Sequence, residues 1–297
     1  MASQTVSSRN VRPAIVLGRA FYRLALVAAL CSPMAACSTF DGLNPFGGEK
    51  YETKLLADEP ADQIYDQGLA RLNKGDSEGA AKKFSDLDKQ YPFSAHSRKG
   101  LIMTTYSQYQ GGSYDDAIGS AQRYVNLYPT SPDAPYAMYL AAMSYYNQVP
   151  DISRDQERAE KSLVVFNQLI EKYPKSEYVD DAKYKVQVMR DQLAGKEMSV
   201  GRYYLGRHNY PAAVNRFRDV IGKYQTTRHV EEALYRLTES YLGLGISQEA
   251  QTAAAILGHN YPDSQWYKDA FNLLQAGGLS PNETKGSWLS NLFRRTG

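Results

Sequence analysis

Small and apolar side chains recur at fixed distances before a short phrase that the chain uses five times. The phrase is Tyr-Pro-x-Ser in four copies and Tyr-Gln-Thr-Thr in one, and the copies begin at Tyr91, Tyr128, Tyr173, Tyr224 and Tyr261. Twelve residues before each proline position stands a small residue, namely Ala80, Ala117, Ser162, Ala213 and Ala250. Eight residues before it stands Phe84, Ala121, Phe166, Phe217 or Ala254. A spacing of four residues puts both positions on one helical face, which predicts a packed helix before every phrase.

Each phrase should end one helix and start the next. The residue before a proline is pushed out of the α region, so a helix that reaches the tyrosine must stop there. The Ser or Thr two positions after the proline can cap the following helix. Together with Gly68 and Gly201 on preceding helices, the pattern resembles the tetratricopeptide repeat, in which small residues let two helices approach. We therefore predict an all-α tetratricopeptide-repeat solenoid of about five helix hairpins with a C-terminal capping helix.

The repeats are unevenly spaced along the chain. The third hairpin has eight surplus residues relative to the second, which predicts a loop at 148–155. From Ser176 to Tyr210 there is no proline and the apolar spacing stays helical, which predicts one long helix, or two with a bend near Gly195. The predicted regions are repeats 1–3 at 61–176, repeats 4–5 and the cap at 177–276, and a flexible tail with a short amphipathic segment at 277–297.

The N-terminus has the parts of a secretory signal peptide. Arginines precede a short apolar run, Leu24 to Leu30, and small residues precede Cys37. The run is much shorter than the ~20 residues that a membrane span needs. The segment resembles a bacterial lipobox with Met34 in place of the more usual Leu, which implies cleavage after Ala36.

The lipobox resemblance also implies the chemical fate of the new N-terminus. Cys37 would carry a diacylglycerol and an N-acyl chain, and no other cofactor is expected. Because Ser38 rather than Asp follows, sorting to the outer membrane is implied. We therefore expect a signal peptide at 1–36, and a lipidated cysteine with a flexible tether at 37–60.

Charge and motif content exclude several classes of function. The net charge of +2 includes four arginines of the signal, so the chain without that segment carries −2. This charge does not indicate a nucleic-acid-binding surface, which would be strongly basic. The four histidines lie in separate units, and no phosphate loop or Gly-x-Ser-x-Gly motif is present. We expect neither an enzyme nor a metal site.

Tyrosines on the first helices of the first three hairpins are candidates for a peptide-binding surface. Tyrosine offers apolar contact area at a low cost in side-chain entropy and keeps a polar tip, which suits extended peptides that carry aromatic residues. Ordinary packing between helices is the alternative role for some of them. The candidates are Tyr65, Tyr106, Tyr109, Tyr139 and Tyr145.

The tail has a second amphipathic pattern. Trp288, Leu289, Leu292 and Phe293 share a helical face, and two arginines follow. This segment could bind a partner groove or a lipid surface, or it could simply be frayed.

These features together resemble the BamD (ComL) family of the outer-membrane β-barrel assembly machinery. The resemblance runs from the lipobox to about Leu244. It is carried by Leu87-Asp-Lys-Gln-Tyr-Pro-Phe93, Tyr173-Pro-Lys-Ser-Glu-Tyr178, Ser199-Val-Gly-Arg-Tyr-Tyr204 and Ala213-Val-Asn-Arg216. It implies a lipid-anchored adaptor on the periplasmic face of the outer membrane. The implied partners are a BamA POTRA domain, other lipoproteins of the complex and unfolded outer-membrane β-barrel proteins.

The resemblance also implies roles for single residues. Arg216 would contact BamA, and its planar guanidinium can hold a carboxylate with two hydrogen bonds. Tyr91 would contact substrate, although it is also placed to pack within its hairpin. The chain departs from the family where Glu78 replaces an arginine and Ser94 replaces a glycine. The arginine that would form an ion pair with the substrate carboxylate is therefore absent at this position.

A second class of function stays open at this point. Envelope scaffolds of the Tol–Pal or peptidoglycan-linked type share Tyr-Pro-x-Ser repeats. Such proteins have evenly spaced arrays behind a coiled-coil N-terminus, and neither feature is present here.

Overall fold

The computed structural model describes residues 59–92 and 94–296, and every regular element within these ranges is an α-helix. The signal peptide, Cys37 and the tether up to residue 58 lie outside the described residues. The helices are α1 Ala61–Asn73, α2 Ser77–Gln90, α3 Ala95–Gln110, α4 Tyr114–Leu127, α5 Ala134–Asn147, α6 Glu157–Lys172, α7 Val179–Gly206, α8 Tyr210–Lys223, α9 Val230–Gly243, α10 Ser247–Asn260, α11 Gln265–Ala276 and α12 Trp288–Thr296.

Consecutive helices pack as antiparallel hairpins, which confirms the predicted all-α repeat solenoid. We call α1, α3, α5, α7 and α9 the first helices of the five hairpins, and α2, α4, α6, α8 and α10 the second helices. Each second helix also packs on the first helix of the next hairpin, and α11 covers α9 and α10 at the end of the array.

Every phrase does end a helix, as predicted, but the caps that follow are of two kinds. Ser94 and Ser264 accept a hydrogen bond from the backbone N–H of Ser97 and Trp266, at 3.0 and 3.2 Å. At Ser131 and Ser176 the hydroxyl instead accepts a hydrogen bond from the backbone N–H two residues later, within a turn. The next helix begins three residues after each serine. Side chains of this type compete for local backbone groups in turns as well as in caps.

Close contacts between glycine and phenylalanine hold two of the hairpins together. A Cβ atom placed on Gly68 would lie 2.5 Å from the ring of Phe84, and one on Gly201 would lie 2.4 Å from the ring of Phe217. Both rings are fully buried, as is that of Phe166. The small residues of the repeat therefore create the space that the phenylalanines fill, as the sequence pattern predicts.

The long apolar stretch in the middle of the chain forms one helix, α7, with no break at Gly195. The glycine has a packing role instead of marking a bend. It is buried, and a Cβ there would lie 3.4 Å from Nε2 of His229 at the start of α9.

The inserted loop of the third hairpin is tied to α7 by side-chain hydrogen bonds. Gln192 donates to the carbonyl of Pro150 at 3.2 Å, and Lys196 donates to the carbonyl of Ser153 at 2.9 Å. Gln156 is buried and donates to two carbonyls within the loop. The insertion is therefore an ordered part of the N-terminal repeats.

The C-terminal segment differs from the flexible tail that we expected. Residues 279–285 run along α10, where the side chain of Gln251 donates to the carbonyl of Ser280 at 2.7 Å. The amphipathic pattern forms α12, and Leu289 on it is fully buried. The apolar face of α12 is used within the molecule because it packs on the C-terminal core.

Across the described residues, none of the helices combines the length and the apolar character that a membrane crossing would require.

Candidate functional site

Five tyrosines come together where α3, α5 and the turn before α7 meet. The ring of Tyr178 stacks on that of Tyr139 with centroids 5.0 Å apart, and it lies 5.4 Å from the ring of Tyr136. Tyr106 and Tyr109 on α3 are close enough to raise the pKa of Tyr136. We call Tyr106, Tyr109, Tyr136, Tyr139 and Tyr178 the tyrosine cluster.

Tyr136 and Tyr139 in this cluster have raised pKa values. Burial, followed by the neighbouring tyrosines, raises the pKa of Tyr136 to about 12. Burial also raises the pKa of Tyr139, and its hydroxyl donates a hydrogen bond to Oδ2 of Asp181 at 2.8 Å. At neutral pH the hydroxyls of Tyr136 and Tyr139 are therefore neutral, and both rings are partly exposed.

Tyr109 links the cluster to the far end of α5. Its hydroxyl accepts a hydrogen bond from Nδ2 of Asn147 at 3.1 Å, and its ring lies 5.9 Å from that of Tyr114. The sequence-predicted residues Tyr106, Tyr109 and Tyr139 thus belong to one surface. Tyr136 and Tyr178 were missed, because their contribution depends on the turn that brings Tyr178 over α5.

Tyr65 and Tyr91 make different contacts, within the first hairpin and its neighbour. The ring of Tyr65 lies 5.5 Å from that of Phe84 and 5.8 Å from that of His96. The hydroxyl of Tyr91 donates to the carbonyl of Glu59 at 2.7 Å, which fastens the start of the described chain to the end of α2. Both tyrosines therefore have packing contacts.

Arg216 lies on α8 and forms an ion pair with α7. Its Nη1 donates to Oε2 of Glu197 at 3.1 Å, and 41% of the arginine side chain is exposed. The guanidinium is therefore oriented from one side by Glu197 while the rest of it faces solvent.

A second aromatic surface covers the C-terminal repeats. The guanidinium of Arg236 lies over the rings of both Tyr235 and Trp266, and it pairs with Glu232 and Glu239. Because Trp266 belongs to the capping helix, this contact joins α9 to α11. Nothing in the repeat pattern identifies it, since the partners come from different elements.

The part of the chain that the structure describes contains no group of three or more histidine, cysteine or acidic side chains that could hold a metal ion.

Comparison with known proteins supports the assembly-factor prediction over the envelope-scaffold alternative. The family model described as YfiO, outer membrane lipoprotein, matches residues 57–257. The curated protein "Outer membrane protein assembly factor BamD" of Caulobacter vibrioides is 42% identical over 79% of this chain and 77% of its own length. Proteins of the same name from Rickettsia prowazekii and Neisseria meningitidis serogroup A are 40% and 30% identical, over 73% and 84% of this chain and 86% and 95% of their own lengths.

The residues matched by the family model run from before α1 into α10 of the fifth hairpin, and the three relatives have the same name. This chain belongs to the YfiO family of outer membrane lipoproteins, and it is an outer membrane protein assembly factor.

Proposed function

We propose that the protein is a non-catalytic adaptor, anchored by lipid on Cys37 to the periplasmic face of the outer membrane. In this proposal the N-terminal repeats bind unfolded β-barrel proteins, and the C-terminal repeats bind the POTRA domain of BamA. The tyrosine cluster is the single observation that carries the substrate half of the proposal.

The cluster has the chemistry that an extended, aromatic-bearing chain needs. Partly exposed rings from three elements offer apolar area, and a tyrosine hydroxyl can both donate and accept a hydrogen bond. The acidic groups near the cluster are Asp181, which is already bonded to Tyr139, and Glu177 and Asp133, which lie close to Tyr178. We therefore propose that recognition relies on aromatic side chains and backbone carbonyls of the substrate.

The partner half of the proposal rests on Arg216. A carboxylate from the partner could approach its exposed side while Glu197 holds the other. Hydrogen bonds between two charged groups are shorter and stronger than neutral ones, and the guanidinium has donors for both acceptors. The same chain segment carries the resemblance to the BamA-binding residue of the family.

Two binding assays on the full mature protein test these halves separately. Tyr139→Ala should weaken binding of a C-terminal peptide from an unfolded barrel by about tenfold, because a ring of this size contributes about 1 kcal/mol or more. Tyr184→Ala is the control, because that ring is 64% exposed. Equal affinities for Tyr139→Ala and the native protein would contradict the substrate half.

The second assay measures capture of the isolated BamA POTRA array. Arg216→Glu should abolish capture, because it places two glutamates against each other at 197 and 216 and removes the cation. The matched control is Arg98→Glu, an exposed charge reversal on α3. Retained capture by Arg216→Glu would contradict the partner half, whatever the peptide assay shows.

A further inference from the structure

The C-terminal helix α12 lies in a furrow between two second helices. The indole Nε1 of Trp288 donates to the hydroxyl of Tyr241 at 3.1 Å, and the guanidinium of Arg218 on α8 lies 4.3 Å from the centre of the Trp288 ring. On the other side, Ser287 donates to Glu249 of α10 at 2.6 Å. Between these contacts Leu289 is fully buried. We call this the α8–α10 furrow.

Among the residues that the structure describes, no helix lies in the equivalent furrow between α4 and α6. It encloses about 630 Å³ and has an apolar floor built from three successive helices. The floor residues are Ala121, Val125, Met138, Ala141 and Val165.

The repeat register shows that the two furrows correspond. Gln122 and Arg218 both stand seven residues before the proline position of their phrase, and Asn126 and Gly222 both stand three residues before it. Gln122 and Asn126 line the α4–α6 furrow, while Arg218 and Gly222 lie beside α12. The position of Gln122 therefore corresponds to Arg218, which contacts α12 through the ring of Trp288, and the position of Asn126 corresponds to Gly222, which lines a cavity beside α12.

We propose that the α4–α6 furrow binds an amphipathic helix from a partner protein, seated as α12 is seated between α8 and α10. The chain itself shows which helix fits such a furrow: a tryptophan at one end, a buried leucine next to it, and further apolar residues one turn later. This is the helix-in-groove mode of peptide recognition, with anchors at i, i+1, i+4 and i+5.

The side chains at the rim of the furrow indicate which residues the partner helix should carry on its flanks. Its side chains at the middle are the amides of Gln122, Asn126 and Gln168, and at one end stand one acid and one base, Glu171 and Lys172. Amides donate and accept equally, so the rim favours a partner helix with polar, mostly uncharged flanks.

The surface is separate from both surfaces of the proposed adaptor function. Arg216 belongs to α8, and no residue of the tyrosine cluster lines the furrow. A third partner could therefore bind while substrate and the POTRA domain are bound.

The test uses a fluorescent peptide of residues 285–297 as the probe and the full mature chain in detergent as the receptor. Because the native α12 occupies the α8–α10 furrow, the open furrow is the site expected to bind the probe. Val165→Glu should weaken binding by about tenfold or more, since it puts an unpaired carboxylate on the apolar floor. Val164→Glu is the matched control, because that neighbouring side chain is 53% exposed and does not line the furrow.

A second variant keeps the test decisive if Val165→Glu fails to fold. Gln122→Trp adds bulk from an exposed rim position without adding charge, and it should weaken binding as well. Weakening by both floor and rim variants, with Val164→Glu at native affinity, supports the proposal. No binding by the native protein would overturn it. Binding that survives Gln122→Trp and Val165→Glu would also overturn it, because the probe would then be exchanging with α12 in its own furrow.

Discussion

Gly201 and Phe217 approach each other so closely that a methyl group on the glycine would lie 2.4 Å from the ring. In an exposed helix interior, alanine is more favourable than glycine by about 1 kcal/mol. At this position the overlap should reverse the sign, because a fully buried ring in a close-packed core cannot move away without disturbing α7 and α8.

We predict that Gly201→Ala lowers the free energy of unfolding by about 1–3 kcal/mol. The measurement is urea denaturation followed by circular dichroism. Gly119→Ala is the control, because this exposed glycine in the interior of α4 has no atom near its Cβ position. It should be neutral or slightly stabilising, and a stabilising effect at both positions would contradict the packing account.

Trp288 fastens the C-terminal segment by two contacts, one with Tyr241 and one with Arg218. Trp288→Ala should destabilise the C-terminal repeats by about 2 kcal/mol, less than a fully buried aromatic, because the ring is only partly buried. Trp288→Phe keeps one aromatic ring but loses the N–H donor and part of the ring area, so it should cost about 1 kcal/mol or more. Hydrogen exchange of α9 and α10 amides measures both variants, and unchanged protection in Trp288→Ala would show that the segment does not stabilise these helices.

The tyrosine cluster should make stability depend on pH in the alkaline range. Burial raises the pKa of Tyr136 to about 12 in the folded protein, against about 10 in an unfolded chain. The unfolded state therefore loses its proton first, so the contribution of this residue is fully present below about pH 10 and is lost as the pH rises toward about 12.

Tyr136→Phe should remove part of that alkaline loss. The free energy of unfolding, measured at several pH values from about 8 to 12, should fall less steeply in the variant than in the native protein. Tyr184→Phe, at an exposed ring, is the control. Identical slopes for native protein and Tyr136→Phe would contradict the pKa assigned to Tyr136.

Local chemistry made much of the fold predictable. In each Tyr-Pro-x-Ser copy the proline after the tyrosine marks the end of a helix, and a small residue four positions before a phenylalanine or alanine marks the packed face of that helix. These rules identified the hairpins and the capping helix. They also identified the contact between Gly201 and Phe217, since both residues belong to the repeat register.

Such local rules do not predict contacts between segments that are distant in the sequence. The packing of α12 depends on Trp288 meeting Tyr241 and Arg218, which lie 47 and 70 positions away along the chain. The amphipathic pattern predicted the helix but not the surface it packs on. Tyr178 likewise joins the tyrosine cluster only because Ser176 forms a turn before α7 begins.

The most direct measurement of the adaptor account asks whether the protein joins its two proposed partners. The POTRA array of BamA is immobilised, and retention of a labelled unfolded barrel protein is measured with and without the full mature chain. We predict retention of both proteins with the native adaptor, reduced retention of the barrel but not of the adaptor with Tyr139→Ala, and loss of both with Arg216→Glu. Retention of the barrel that is independent of the adaptor, or unchanged by both substitutions, would contradict the account.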